Sequence, residues 1–230
     1  MIPIRDENPT TITPIVTVTL LVVNVAAFVY QVSLGAEGAA FVAVFGAVPF
    51  ALFGGETFSP IPPFVTVVTA MFLHGGLMHL GGNMLYLWIF GNNIEDSMGH
   101  GRFLVFYLLC GVVAAYAHAV TAPESTVPMI GASGAISGVL GAYLLLFPHA
   151  RVLTWIPLGL LSRFEYIPAG WVLGFWIVLQ FLNGTLSFGR SGGGVAWFAH
   201  VGGFVAGLAL VYLFIRRRPR SGRPVSRSLS

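Results

Sequence analysis

The sequence predicts an all-α polytopic membrane protein, a single-domain bundle of six transmembrane helices with a partly embedded first loop. Three observations predict it. Of the 230 residues, 56% are hydrophobic and only 8% charged, against roughly 25% charged in soluble domains. Apolar runs at or near the length of a membrane span, about 20 residues as helix, recur along the chain. The arginines are asymmetric between alternate connecting segments, as the positive-inside rule requires. Too little polar surface remains to wet a soluble globule of this size.

The elements follow in order. Residues 1–10 carry Arg5, Asp6 and Glu7, with no small-residue cleavage site close behind. The first apolar run, about 12–32, is therefore expected to be a span and not a removed signal peptide. The stretch 35–65 is apolar but broken by Gly38, Gly46, Pro49, Gly54, Gly55, Pro60, Pro62 and Pro63. Breakers that dense forbid a clean span and favour an interfacial, partly embedded loop. The second to fifth spans fall at about 78–94, 103–120, 133–148 and 168–182, and the sixth at about 196–215. Arg151, Pro157, Gly159, Arg163 and Glu165 interrupt the stretch 151–166. It reads as an interfacial connection or as an extension of a neighbouring span.

With the N-terminus inside, the inner segments hold Arg5, Arg102, Arg151, Arg163 and the tail; the outer ones hold Arg190, Glu37, Glu56 and Glu124. Both termini are then cytoplasmic in a multi-pass cell membrane protein. Six of the 11 basic residues, all arginines, lie at 216–227. The tail at 216–230 reads as an anchor to membrane lipids. Nucleic acid is not an expected partner, since nothing around the tail could fold into a reader. Cys110, the single cysteine, excludes an intrachain disulfide and reads as packing.

Topology brings separated residues to one height. Ser133 opens the fourth span, His200 lies near the start of the sixth, and His79 and Asn83 near the start of the second. All are outer ends. The fourth span has roughly 16 residues, about 24 Å at 1.5 Å per residue, against a hydrocarbon core of about 30 Å. Ser133 is thus expected below the outer surface, in a cavity that admits water. Taken alone, Ser133 reads as helix packing: Gly134–Gly138 and Gly203–Gly207 are both small-xxx-small pairs. Nor is this the Gly-x-Ser-x-Gly elbow of soluble hydrolases, because Ala135 holds the last position.

The pair changes the reading. A serine hydroxyl is a weak nucleophile until a base takes its proton, and imidazole suits that role and can return the proton to a leaving amine. No carboxylate lies in the outer halves of the spans, so Ser133 and His200 would form a dyad, with packing to hold the ring. His79 and Asn83 are four apart on one helix face, and both can donate to a developing oxyanion. A polar helix contact is as good a reading of Asn83 alone. His74 and His79 invite a zinc reading, but five apart on a helix they diverge, and no Cys or carboxylate completes a set. No metal and no cofactor is expected. Glu95 and Asp96 lie at the wrong end and read as caps or loop contacts; His100, His118 and His149 read as structural or interfacial.

Four motifs in order resemble the rhomboid intramembrane serine proteases over about 60–210. They are His74-x4-His79-x3-Asn83, Gly91-Asn92-Asn93-Ile94-Glu95-Asp96-Ser97-Met98-Gly99, Gly131-Ala132-Ser133-Gly134 and Ala199-His200-x-x-Gly203-x-x-x-Gly207. The resemblance implies a rhomboid-like six-span bundle and a catalytic dyad of Ser133 and His200. It implies an oxyanion site of His79, Asn83 and the Ser133 amide. It also implies a first loop partly in the membrane, and a fifth span bearing Trp171, Phe175, Trp176 and Phe181 as a lateral gate for transmembrane protein substrates cleaved near small residues. Two departures stand out. Val65-Thr66 occupies the place of a Trp-Arg pair common in that family's first loop. Ser137 replaces a tyrosine that packs on the catalytic ring in some members, leaving Trp197 and Phe198 as nearby candidates. A protease-dead client binder, and a channel lined by the polar cluster, are the alternatives. Both Ser133 and His200 are present, against the first; the one-sided clustering is against the second.

Overall fold

In the computed structural model, residues 1–57, 59–187 and 195–216 are described. Arg190 and the tail arginines beyond Arg216, which carry part of the charge asymmetry, lie outside them. The elements are β1 (Ile2–Asp6), α1 (Ile15–Ser33), α2 (Gly38–Phe45), α3 (Pro49–Leu52), α4 (Pro63–Thr69), α5 (Leu77–Met98), α6 (His100–Thr121), α7 (Ser133–Leu146), β2 (Arg151–Ile156), β3 (Arg163–Pro168), α8 (Ala169–Leu186) and α9 (Trp197–Phe214).

The chain is an integral membrane protein by its apolar helices. Four of them, α1, α6, α8 and α9, are long and apolar enough to cross a bilayer. A fifth span is available if α5 is taken with the Pro63–Phe72 segment, which meets it at an 85° bend. Val22, Val29, Val105, Phe175 and Leu213 on these helices face outward without cover, as lipid-facing positions do. The helix α7 is shorter, 14 residues, or about 21 Å. It is enclosed by its neighbours, with every residue from Gly134 to Tyr143 buried.

That enclosure rests on missing side chains. A Cβ on Gly203 would overlap the carbonyl oxygen of Gly134, and one on Gly207 that of Gly138. The backbones of α7 and α9 touch through these facing pairs, the packing mode available where lipid supplies no hydrophobic drive between helices. Phe90 of α5 meets Tyr143 of α7 edge-on at 4.9 Å, and Phe106 of α6 meets Phe214 of α9 at 5.6 Å, within one buried core that also holds Phe103 and Tyr107.

The opposite end of the bundle departs from the expected all-α class. Here β1, β2 and β3 form an antiparallel sheet in the order β1-β2-β3, with Val152 and Thr154 of β2 buried and an irregularity between Pro3 and Arg5. The stretch 151–166 is thus a hairpin, not a span extension, and the N-terminus completes its sheet. Arg5 donates to the Tyr166 hydroxyl at 2.7 Å, and the Arg151 guanidinium lies 4.8 Å from the same ring's centroid. The Tyr143 hydroxyl donates to Asp6 at 2.6 Å and joins the sheet to α7.

Glu95, fully buried in α5, caps α1. Its carboxylate accepts from the backbone N–H groups of Val16 and Thr17 at 2.9 and 2.7 Å and from the Thr17 hydroxyl at 2.7 Å, and pairs with His100. These N–H groups open a helix after Pro14 and have no acceptor of their own, and an anion there also meets the positive end of the helix dipole. Asp96 accepts from both the amide and the hydroxyl of Thr11. The cap and loop roles expected of this acidic pair are what the side chains perform. The last turn of α9 is tied here too, as Arg216 donates to the carbonyl of Met98 at 3.1 Å and its guanidinium lies over Gly99, whose φ of 78° suits the one-residue turn between α5 and α6.

Three stability outcomes follow, each read by thermal unfolding in detergent. Glu95→Ala strands two buried donors and should cost about 3 kcal/mol or more, while Glu95→Gln keeps an acceptor and should cost less. Gly207→Val should lose about 1–3 kcal/mol through forced separation of α7 and α9, whereas Gly174→Ala, with nothing within 4 Å of the added Cβ, should be tolerated. Burial raises the Asp6 carboxyl above its ordinary 3.8, opposed in part by the Tyr143 hydroxyl. The native state then holds this proton more tightly than the unfolded chain, so its contribution is full below 3.8 and is lost as pH rises through the raised native value. Asp6→Asn should therefore gain on the wild type over that rise and level off above it; parallel curves would contradict it.

Candidate active site

Ser133 and His200 come together from α7 and α9. Ser133 is the first residue of its helix, so its N–H has no intrahelical acceptor, and it is half-buried. His200 is in the first turn of α9, three residues before Gly203. The Gly134–Gly203 contact lies directly beside both residues and brings the two helix starts together. The imidazole Nε2 is 2.8 Å from the Ser133 hydroxyl.

The ring's other nitrogen finds a partner that the sequence reading missed. His200 Nδ1 lies 2.7 Å from Oε1 of Gln180, on α8. The amide nitrogen of Gln180 donates to the carbonyl of Trp176, one turn earlier, at 3.3 Å. Of the aromatic candidates beside the ring, Trp197 does meet it, and Trp176 of α8 joins it. Trp176 is tilted 35° against the imidazole at 5.8 Å between centroids, while Trp197 meets it edge-on at 6.2 Å. Ser137, at the place of the family's tyrosine, is buried and turns its hydroxyl back to the carbonyl of Ser133 at 2.6 Å.

His79 and Asn83 converge on the segment just before Ser133. Gly131 has φ of 122°, and a Cβ there would lie 2.7 Å from His79 Nε2 and 3.7 Å from Asn83 Nδ2. The Gly75 amide donates to His79 Nδ1 at 3.2 Å, which leaves the proton on Nε2, facing Gly131. The segment itself is clamped, since Gly131 N–H donates to Ala70 at 2.8 Å and Met129 pairs with Ala47 in both directions.

His74 does not share the helix of His79, contrary to the expectation from their spacing. It sits in the turn before α5, fully buried, with its ring edge-on to His79 at 5.1 Å. Its Nε2 is 3.0 Å from Asn83 Nδ2. Gln31, at the end of α1, holds the backbone of His74 on both sides, donating to its carbonyl at 2.8 Å and accepting from its amide at 3.3 Å. Among the described residues no group of three or more His, Cys, Asp or Glu side chains is placed to hold a metal ion. Val65 is exposed, and Thr66 is buried with its hydroxyl on the carbonyl of Pro63; neither reaches the site.

A cavity of about 40 Å³ opens beside Ser133, walled by small or flexible side chains that include Ala70, Met71, Gly111, Ala114 and Ala199. The arrangement as a whole joins a hydroxyl, a ring nitrogen that can accept its proton, and a pair of donors on the neighbouring wall. Those are the groups that acyl transfer uses.

Similar proteins are known. Residues 62–217 match the model of the Rhomboid domain. The chain is 45% identical over 78 residues to Rhomboid protease GluP of Bacillus subtilis, covering 34% of this chain and 15% of that one. It is 35% identical over 96 residues to the mitochondrial Rhomboid protein 1 of Saccharomyces cerevisiae, covering 40% and 28%. Against the mitochondrial RHOMBOID-like protein 6 of Arabidopsis thaliana it is 31% identical over 156 residues, covering 68% and 45%. The chain thus spans less than half the length of each of these relatives. With the domain matched over well more than half of its residues, the chain belongs to the rhomboid family.

Proposed function

We propose that the chain is an intramembrane serine endopeptidase that hydrolyses peptide bonds in or near transmembrane segments of other membrane proteins. The observation that carries this reading is the 2.8 Å contact between His200 Nε2 and the Ser133 hydroxyl, made across 67 residues of sequence. Ser133 Oγ attacks the scissile carbonyl carbon and its proton passes to His200 Nε2. The oxyanion of the tetrahedral intermediate faces His79 Nε2–H, Asn83 Nδ2–H and the Ser133 amide, and a preorganised donor of this kind is worth roughly 3–4 kcal/mol. Collapse expels the amine, which takes the proton from His200. Water then repeats the sequence on the acyl-enzyme, releases the new carboxyl terminus and regenerates the serine.

The membrane placement is part of the proposal. Six spans, α1 and α5 to α9, form one domain over 1–230. Since alternate spans run in opposite directions, the starts of α5, α7 and α9 face one side. The arginine asymmetry makes that side the outer one, with both termini cytoplasmic and the tail at 216–230 on anionic lipid. At about 21 Å against a core of about 30 Å, α7 leaves Ser133 submerged at its outer end. The segment from α2 to α4 then lies as a partly embedded outer loop. On α8, Trp171 and Phe175 stand exposed and make this helix the flank along which a substrate helix would enter. The 40 Å³ cavity beside Ser133 has room for about three water-sized groups, the size of a small side chain, which supports cleavage near small residues. A helical peptide bond is shielded, and Gly or Pro near the site would help expose it.

The test is cleavage of a model transmembrane substrate by protein reconstituted in vesicles. Ser133→Ala and His200→Ala should each lower kcat/KM by at least about 10³-fold, and Asn83→Ala should lower kcat by about 10²–10³-fold. Undiminished cleavage by Ser133→Ala would contradict the dyad. A wild type that binds but never cleaves, or one that conducts ions instead, would overturn the proteolytic reading.

A further inference from the structure

We propose that Gln180 is a positioning residue for His200: it fixes the ring in the Nδ1–H tautomer, the place a carboxylate fills in a Ser-His-Asp site. The proposal rests on the proteolytic reading of Ser133 and His200. Gln180 lies in an apolar helix and is 8% exposed, as is His200. A polar side chain so placed is costly unless it is bonded, and both ends of this amide are. Its Nε2 donates to the Trp176 carbonyl at 3.3 Å. Reversing the amide would set oxygen against that carbonyl oxygen, so Oε1 is the end that faces His200.

An oxygen at 2.7 Å from Nδ1 can only accept, so Nδ1 carries the proton. Nε2 is then left with its lone pair directed at the Ser133 hydroxyl, 2.8 Å away. The other neutral tautomer would put N–H against Oγ and could not take a proton. When the serine proton arrives, the ring carries a proton on each nitrogen and Nδ1–H···Oε1 becomes charge-assisted. The amide takes no proton, and none leaves Nδ1. The Trp176 face at 5.8 Å adds a further contact for the charged ring. A neutral acceptor also suits the setting, since a carboxylate at this depth would bury a charge in the resting enzyme. Among the described residues, the other ionisable groups near His200 are His79 and His118.

Three variants of the full chain, reconstituted with the model substrate, separate positioning from support of the fold. Gln180→Leu keeps the volume and removes the acceptor. It should lower kcat by about 10- to 100-fold with KM changed by no more than about twofold. Gln180→Glu restores an acceptor. It should recover most of kcat and move the acidic limb of the kcat/KM profile to higher pH by about one unit or more, because the carboxylate favours the imidazolium. Gln180→Asn is too short to reach and should resemble Gln180→Leu. Wild-type kcat in Gln180→Leu, or equal losses in Gln180→Leu and Gln180→Glu with no movement of the limb, would overturn the proposal.

A second readout does not depend on turnover. Magnetic resonance of isotope-labelled imidazole nitrogens, with the His200 signal assigned by its loss in His200→Ala, should show Nδ1 protonated and Nε2 bare at alkaline pH in the wild type. In Gln180→Leu it should show a mixture of tautomers. An unchanged tautomer in Gln180→Leu overturns the positioning role even if the wild type cleaves. A wild type that does not cleave, yet shows the tautomer switch, sinks the proteolytic reading and leaves the hydrogen bond standing.

Discussion

The structure depends on two places where a side chain is missing. Gly203 and Gly207 of α9 lie against the carbonyl oxygens of Gly134 and Gly138 in α7, closer than any Cβ would permit. Lipid offers no solvent-driven force between apolar helices, so close backbone contact has to supply the attraction. Ser133 is the residue before Gly134, and His200 is three residues before Gly203. The first contact that joins the helices therefore also sets the separation of hydroxyl and imidazole. A side chain added there would disturb packing and chemistry together.

Around that contact, hydrogen bonds run outward in two chains. One passes from the Trp176 carbonyl through Gln180 and His200 to Ser133. The other passes from Gln31 through the backbone of His74 and its ring to Asn83. Neither chain contains a carboxylate. Neutral groups can be buried at lower cost than ions, and each of these side chains is held by a partner outside its own helix. At the far end of the bundle Glu95 does the reverse. It brings a buried carboxylate to the start of α1, where a helix terminus gives that charge a favourable partner. The two ends of α1 are thereby tied to α5 and to the turn that leads into it.

Much of this was legible from residues. Apolar runs located the long helices to within a few positions, and the place of Ser133, His200, His79 and Asn83 at helix starts brought them to one end. The distance of Glu95 and Asp96 from Ser133 along α5 points to caps or loop contacts. What escaped has definite reasons. A glutamine in an apolar run carries no periodic signal, and its use depends on α8 meeting α9 at one height, which no spacing encodes. A helix running from His74 to His79 fails at Gly75 and Gly76, where the chain turns by 85°. The sheet was hidden because Ile2–Asp6 is too short to declare itself and finds its partner about 150 positions away. The alternation of buried Val152 and Thr154 was masked by the arginines, proline and glycine that punctuate the hairpin.

The most direct measurement of the central claim is a crystal structure of the protein after reaction with a phosphonate that mimics the tetrahedral intermediate. The expected result is phosphorus bonded to Ser133 Oγ, with the phosphoryl oxygen within hydrogen-bond reach of His79 Nε2 and Asn83 Nδ2 and with His200 beside the adduct. Phosphorus on any other residue, or a phosphoryl oxygen turned away from those donors, would contradict the reading of this cluster as one catalytic site.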